Sequence, residues 1–174
     1  MTQNPLESRA SDSGAGGGAS AWTEAQLRSA WTAAVGDHPG WVDLLAQAWQ
    51  VRHRAYAPYS GFAVGASLLT AGDLIFSGVN VENASYPVGC CAERSAVCAA
   101  VTAGQRQFRT IAIVTDAEHP AAPCGLCRQN LAEFGLDLQV VLGNTTGLVW
   151  HAPLRELLPA AFTPDSFEPR PGRQ

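Results

Sequence analysis

The sequence predicts an α/β domain built on a mixed sheet of about five strands with helices packed against it. Two β-rich runs joined by a short turn open the pattern. Two units of helix followed by strand come after them, each helix closed by a glycine. A hairpin needs only a tight turn, whereas parallel strands need a helical crossover, so this order yields both kinds of pairing in one sheet. With 174 residues, 47% of them hydrophobic and 15% charged, the chain has the size of one domain with one core.

From Trp22 to Val35 the residues Trp22, Leu27, Ala30, Trp31 and Ala34 recur at helical spacing, with Thr23 as the N-cap and Gly36 as the stop. A second helix starts near Pro39 and carries Trp41, Leu44, Leu45, Ala48, Trp49 and Arg52. It must end before Tyr56-Ala57-Pro58, because the residue preceding a proline is pushed out of the helical region. Its tryptophan stripe reads as core. Phe62 to Leu69 and Leu74 to Val81 then form an antiparallel pair about the turn Thr70-Ala71-Gly72-Asp73. After the loop Glu82 to Cys90 comes a helix from Ala92 to Ala103, stopped by Gly104, and a buried strand from Thr110 to Thr115. Cys124 to Phe134 is the next helix, stopped at Gly135. Leu138 to Leu142 is a strand, and Gly147 to His151 is another after the turn Asn144-Thr145-Thr146. A short helix at Leu154 to Leu158 breaks at Pro159, and the proline-rich end from Pro164 reads as loosely ordered.

Composition excludes several functions. No apolar run approaches the roughly 18 residues of a membrane span. Eleven Lys and Arg against fifteen Asp and Glu give a net charge of −4, with no basic block to track phosphates, which argues against nucleic acid as a partner. The low charge fraction points to surface buried against copies of the same chain. Five cysteines in mid-chain, an odd number, read as reduced thiols or metal ligands rather than a disulfide framework. No apolar segment precedes Ala19-Ser20-Ala21, so residues 1–21 read as a disordered cytoplasmic tail rather than a secretion signal.

Pro123-Cys124-Gly125-Leu126-Cys127 places two thiols at metal-ligand spacing, and Cys90-Cys91-Ala92-Glu93 brings a third together with a carboxylate. A lone Cys-x-x-Cys is equally a redox pair or half of a structural site. A Cys-Ala-Glu one helix earlier makes the signal more specific and resembles the pattern of the zinc deaminases, in which three cysteines are an allowed ligand set and a glutamate that is no ligand moves protons. Spacing alone leaves Cys90 and Cys91 both open as the third ligand. Cys91 and Cys124 fall at predicted helix starts, where unpaired N–H groups favour thiolate. Three thiolates would make a negative centre, and Arg94 and Arg128 are the candidates to offset it. A four-ligand structural zinc would need one more donor from Cys90, Cys98, His38, His53, His119 or His151, none of which stands at a paired spacing. His119 reads as solvated loop and Cys98 as a small core residue.

The chain resembles the small homotetrameric cytidine deaminases. The likeness rests on Tyr59-Ser60-Gly61-Phe62-Ala63-Val64-Gly65-Ala66, Asn80-Val81-Glu82-Asn83, Ser85-Tyr86-Pro87, Cys91-Ala92-Glu93-Arg94, Pro123 to Gln129, and Leu157 to Phe162. It implies a three-layer α/β/α sandwich over residues 38–165, with residues 22–37 as an extra helix and 166–174 as a flexible tail. It implies one Zn²⁺ per subunit on Cys91, Cys124 and Cys127, with Glu93 passing a proton from water to the substrate base. Asn80 and Glu82 are implied to bind ribose, Phe62 and Val64 to wall the pocket, and Phe162 to stack on the base from a neighbouring subunit. Tyr86 and the Ala92 backbone are implied contacts near the base and the interface. A carboxylate at Glu82 would repel a phosphate, so a free nucleoside is the expected substrate. The implied reaction is hydrolytic deamination of cytidine and 2′-deoxycytidine in pyrimidine salvage, in the cytoplasm. The alternatives are a blasticidin S-type aminonucleoside deaminase and a non-enzymatic zinc module. Cys127-Arg128-Gln129 and the Leu157 to Phe162 segment favour cytidine, while Glu93 and the missing fourth ligand disfavour the module.

Overall fold

The computed structural model describes residues 22–166. The expected tail at 1–21, and all of 166–174 beyond Ser166, lie outside the described residues. Helix α1 covers Glu24–Val35 and α2 covers Gly40–Arg52. A hairpin follows, β1 at Gly65–Thr70 and β2 at Ile75–Val79, and then α3 at Ala92–Thr102, β3 at Phe108–Thr115 and α4 at Gly125–Ala132. Strands β4 at Gln139–Asn144 and β5 at Val149–Pro153 lead into the one-turn helix α5 at Leu154–Leu157.

The five strands run in the order β2-β1-β3-β4-β5. β1 pairs antiparallel with both β2 and β3, β3 pairs parallel with β4 through the α4 crossover, and β4 pairs antiparallel with β5. The mixed sheet is thus the one read from the sequence. Its two faces follow from strand alternation. Ala66, Leu68, Ile111, Ile113, Val140 and Leu142 pack with α3 and α4, and Ala112, Val114 and Val141 pack with α1 and α2. Three layers result.

Local chemistry sets the helix ends. Thr23 opens α1 with a capping box, its hydroxyl accepting from Gln26 N–H while the Gln26 side chain accepts from Thr23 N–H. Leu27, Trp31 and Val35 form the buried stripe, so Val35 takes the inward place expected of Ala34. Gly104 and Gly135 follow α3 and α4 with φ of 83° and 125°, a region that glycine enters without strain. Gly78 on β2 lies under α3, and a methyl group there would overlap Ala92 O and Ala96 N. This close approach places the start of α3 over the sheet.

Other expectations also need correction: the last strand runs over Val149–Pro153 rather than from Gly147 to His151, because Gly147, at φ 86°, belongs to the turn before it. Phe62 to Val64 are not strand. Asn80 holds them as a loop, accepting from Val64 N–H at 2.8 Å and donating to Phe62 O at 2.8 Å. α4 ends at Ala132, two residues short of Phe134. Cys98 is exposed rather than core, because Ala96, Val97 and Ala100 supply the inward face of α3 and position 98 turns outward. Among the described residues no helix is long and apolar enough to cross a membrane.

Candidate functional site

Two helix starts meet beside the end of β3. Cys91 is the N-cap of α3 and Cys124 the N-cap of α4, and Cys127 lies in the first turn of α4. Cap residues are extended, so their side chains project beyond the helix among its unpaired N–H groups. The sulfurs of Cys91 and Cys124 are 4.0 Å apart, and all three thiols lie within 4.8 Å of one another. Zinc–sulfur bonds of about 2.3 Å in tetrahedral array put sulfurs about 3.8 Å apart, so the cluster fits that ion. Cys127 is fully buried, Cys91 partly so, and Cys124 is exposed. A hydrogen bond with Cys127 is the largest cause holding the Cys91 thiol down at about 6, and the same bond together with burial pushes Cys127 up.

The cluster edges a cavity of about 220 Å³ lined by Phe62, Val64, Asn80, Cys91, Ala92, Glu93, Ile113, Thr115, Ala121, Ala122 and Cys124. Glu93 is the buried carboxylate of this cavity, at 5% exposure, on the first turn of α3. Desolvation by burial holds its carboxyl above the ordinary range, against smaller lowering effects of its own backbone N–H, Cys127 and Arg94. A second, wider cavity of about 460 Å³ adjoins it at Asn80 and Cys91 and is lined also by Tyr59, Ser60, Glu82, Tyr86 and Cys90.

Each residue singled out in the sequence has a definite place. Cys90 stands outside the thiol cluster, its sulfur accepting from Ser95 Oγ at 3.5 Å. Arg94 donates to Gly89 O at 2.9 Å and to Cys90, and its charge also reaches Cys91 and Cys127. Arg128 is a brace: its Nε donates to Pro123 O at 2.7 Å and its Nη1 to Leu157 O at 2.9 Å. Glu82 accepts from Tyr59 N–H at 2.9 Å, Ser60 N–H at 3.2 Å and the Ser60 hydroxyl, and the hydroxyl contributes most to holding its carboxyl below the usual range. Tyr86 and Phe162 are 78% and 58% exposed, and Gln129 donates to Phe162 O at 2.6 Å. His38, His53, His119 and His151 are outside the thiol cluster.

Sequence reasoning missed Ser60, Ala121, Ala122, Thr115 and Ile113 as members of the site. The alternation of β3 foretells an inward Ile113. No local pattern marks a serine that bonds a carboxylate 22 positions away.

The family model described as the cytidine and deoxycytidylate deaminase zinc-binding region matches residues 42–143. A cytidine deaminase of Halalkalibacterium halodurans is 46% identical over 125 residues, covering 71% of this chain and 95% of that protein. A crystal structure of cytidine deaminase from Burkholderia pseudomallei superposes with a TM-score of 0.67 at 48% identity, covering 69% of this chain and 97% of that one. A blasticidin-S deaminase of Bacillus cereus is more distant, 32% identical over 111 residues and 58% of this chain.

Proposed function

This chain belongs to the cytidine and deoxycytidylate deaminase zinc-binding family, and we propose that it hydrolyses cytidine and 2′-deoxycytidine to uridine and 2′-deoxyuridine with release of ammonia. One observation carries the reading: three thiols lie within 4.8 Å of one another, and two of them, Cys91 and Cys124, line the same small cavity as a buried carboxylate. A structural zinc module would have its fourth position closed by protein, and no other His, Cys, Asp or Glu joins the cluster among the described residues.

Cys91, Cys124 and Cys127 would hold one Zn²⁺ per subunit, which supplies Lewis-acid activation of the attacking water at C4 of the base. Glu93 accepts one proton of that water on a carboxylate oxygen and gives it to N3 of the base as the oxygen bonds to C4. It then carries the oxygen's remaining proton to the C4 amine, whose C–N bond breaks as the C4 carbonyl forms, so that ammonia leaves. Burial suits this task, since a carboxyl raised toward neutrality both accepts and releases a proton readily. Phe62 and Val64 wall the base, with the Ala92 backbone beside it, and the clamp of Asn80 on Phe62 and Val64 holds that wall in place. Asn80, where the two cavities join, and Glu82, in the wider one, would meet the ribose. Arg94 offsets the negative charge of the thiolates, and Arg128 supports them indirectly by bracing Pro123.

The deaminase unit spans residues 38–165, with 22–37 as an added helix that shares its core through Leu27, Trp31 and Val35. The protein assembles as a homotetramer in which Phe162 closes a neighbour's pocket and Tyr86 lies near the interface. Exposure of both rings supports this arrangement. Five cysteines without disulfides suit a reducing compartment, the cytoplasm. Assays of the purified protein on cytidine, deoxycytidine and blasticidin S, with zinc content measured in parallel, test the reading. Turnover of both cytidines by zinc-loaded protein is expected. Turnover of blasticidin S alone, or none with zinc bound, would overturn it.

A further inference from the structure

We propose that Asn144 is a positioning residue for this reaction, its side-chain amide fixing the loop that carries Ala121, Ala122 and Cys124 into the cavity. The proposal rests on the deaminase reading above. Asn144 ends β4 beside Thr115, the last residue of β3, at the carboxyl edge of the parallel pair, where open α/β sheets place their ligands. It is fully buried. Its Nδ2 donates to Ala117 O at 3.2 Å and Glu118 O at 2.9 Å, while its Oδ1 accepts from Thr146 N–H at 3.1 Å, the Thr146 hydroxyl at 3.0 Å and Leu148 N–H at 2.8 Å.

The amide thus ties two segments together. One is the turn between β4 and β5, which the oxygen organises. The other is the connection from β3 to α4, which the nitrogen holds by two successive carbonyls. Among the described residues that connection is also tied by Thr145 N–H to Thr115 O at 3.1 Å, by Ala117 N–H to the Thr115 hydroxyl at 3.4 Å, by Arg52 to Asp116 at 3.2 Å, and by Arg128 to Pro123 O at the far end. Between those anchors lie Ala121 and Ala122, which line the cavity, and then Cys124. No other side chain of this length can replace Asn here, because the site needs a nitrogen that donates two bonds and an oxygen that accepts three on one short planar unit.

Asn144→Asp separates the two duties. A carboxylate still accepts from Thr146 and Leu148, but it turns an acceptor toward the carbonyls of Ala117 and Glu118. The expected result is folded protein whose zinc affinity, read by chelator competition, falls about tenfold or more and whose KM for cytidine rises. Thr146→Val, which removes one bond to Oδ1 and leaves the loop bonds intact, should keep parental zinc affinity. Folded Asn144→Asp with parental zinc affinity and KM would overturn the assignment, as would equal losses in Thr146→Val.

Should Asn144→Asp fail to fold, the parent protein decides the matter. Coupling is reciprocal, so zinc must strengthen the Asn144 clamp as the clamp strengthens zinc. Exchange of the Asn144 side-chain amide protons, which bond Ala117 O and Glu118 O, should slow on zinc binding, relative to those of the Gln139 side chain, which bonds Asp137 O. Unchanged exchange at Asn144 in protein that binds zinc and deaminates cytidine would overturn the role of Asn144 alone. A parent that binds no zinc would instead overturn the deaminase reading.

Discussion

The sulfur of Cys91 stands 4.0 Å from that of Cys124, although the two residues cap different helices on either side of a whole strand. Neither α3 nor α4 can build the cluster alone, so the metal centre doubles as a joint between the two crossovers. Removing one thiol therefore leaves an incomplete anchor. Cys91→Ala, Cys124→Ala and Cys127→Ala should each lower zinc content in the purified protein, and Cys90→Ala and Cys98→Ala should retain it. Metal loss in Cys90→Ala with retention in Cys91→Ala, read by elemental analysis, would shift the site by one residue.

Gly78 sets the height of α3 above the sheet. Gly78→Ala forces a methyl group into Ala92 O and Ala96 N, backbone atoms that cannot swing aside. A loss of about 1–3 kcal/mol is expected in denaturant titration, from overpacking. Zinc content should fall with it, because Cys91 rides on the displaced helix start. Parental stability in Gly78→Ala would mean that α3 and β2 do not pack this closely.

Glu82 remains charged through the neutral range, since its bonds to Ser60 and Tyr59 hold its carboxyl below the usual value. If Glu82 meets the sugar as proposed, Glu82→Gln should raise KM for cytidine and narrow the gap between cytidine and its 5′-monophosphate, because the same charge would repel a phosphate. Ser60→Ala serves as the control for loop disturbance: it removes one bond to Glu82 and leaves the charge, so the gap should persist. A parent protein equally active on the monophosphate would refute the electrostatic argument.

Much of this molecule was legible from its residues. The hairpin, the α3 and α4 crossovers and their glycine stops follow from periodicity and turn chemistry, because these signals act within a few positions. The Cys124 and Cys127 half of the metal cluster was legible because its spacing and helix cap are also local, whereas the choice of Cys91 over Cys90 rested on the family resemblance. What escaped has a common cause. Phe62 to Val64 read as strand because the clamp from Asn80 acts across 16 and 18 positions. The hubs at Glu82 and Asn144 join side chains to distant backbone, and the Ser60 hydroxyl joins a distant carboxylate, which leaves no periodic trace. Cys98 was misread because small residues surround α3, and spacing alone does not say which side faces the sheet.

Assembly has its own test. Phe162 is 58% exposed, and its backbone is tethered to Gln129 on the same helix that carries Cys127. If its ring serves a neighbouring site, inactive Glu93→Gln subunits mixed with impaired Phe162→Ala subunits should recover deamination above the sum of the two parents. Mixed assemblies verified by mass, yet no more active than the parents, would assign Phe162 to its own subunit.

The most direct test of the whole account is turnover by zinc-loaded Glu93→Gln. An amide of the same shape neither accepts the proton of water nor returns it, so zinc content and cytidine binding should match the parent while kcat falls by about 100-fold or more. Near-parental kcat in protein with full zinc would contradict the account, because the buried carboxylate beside the three thiols would then have no part in the chemistry.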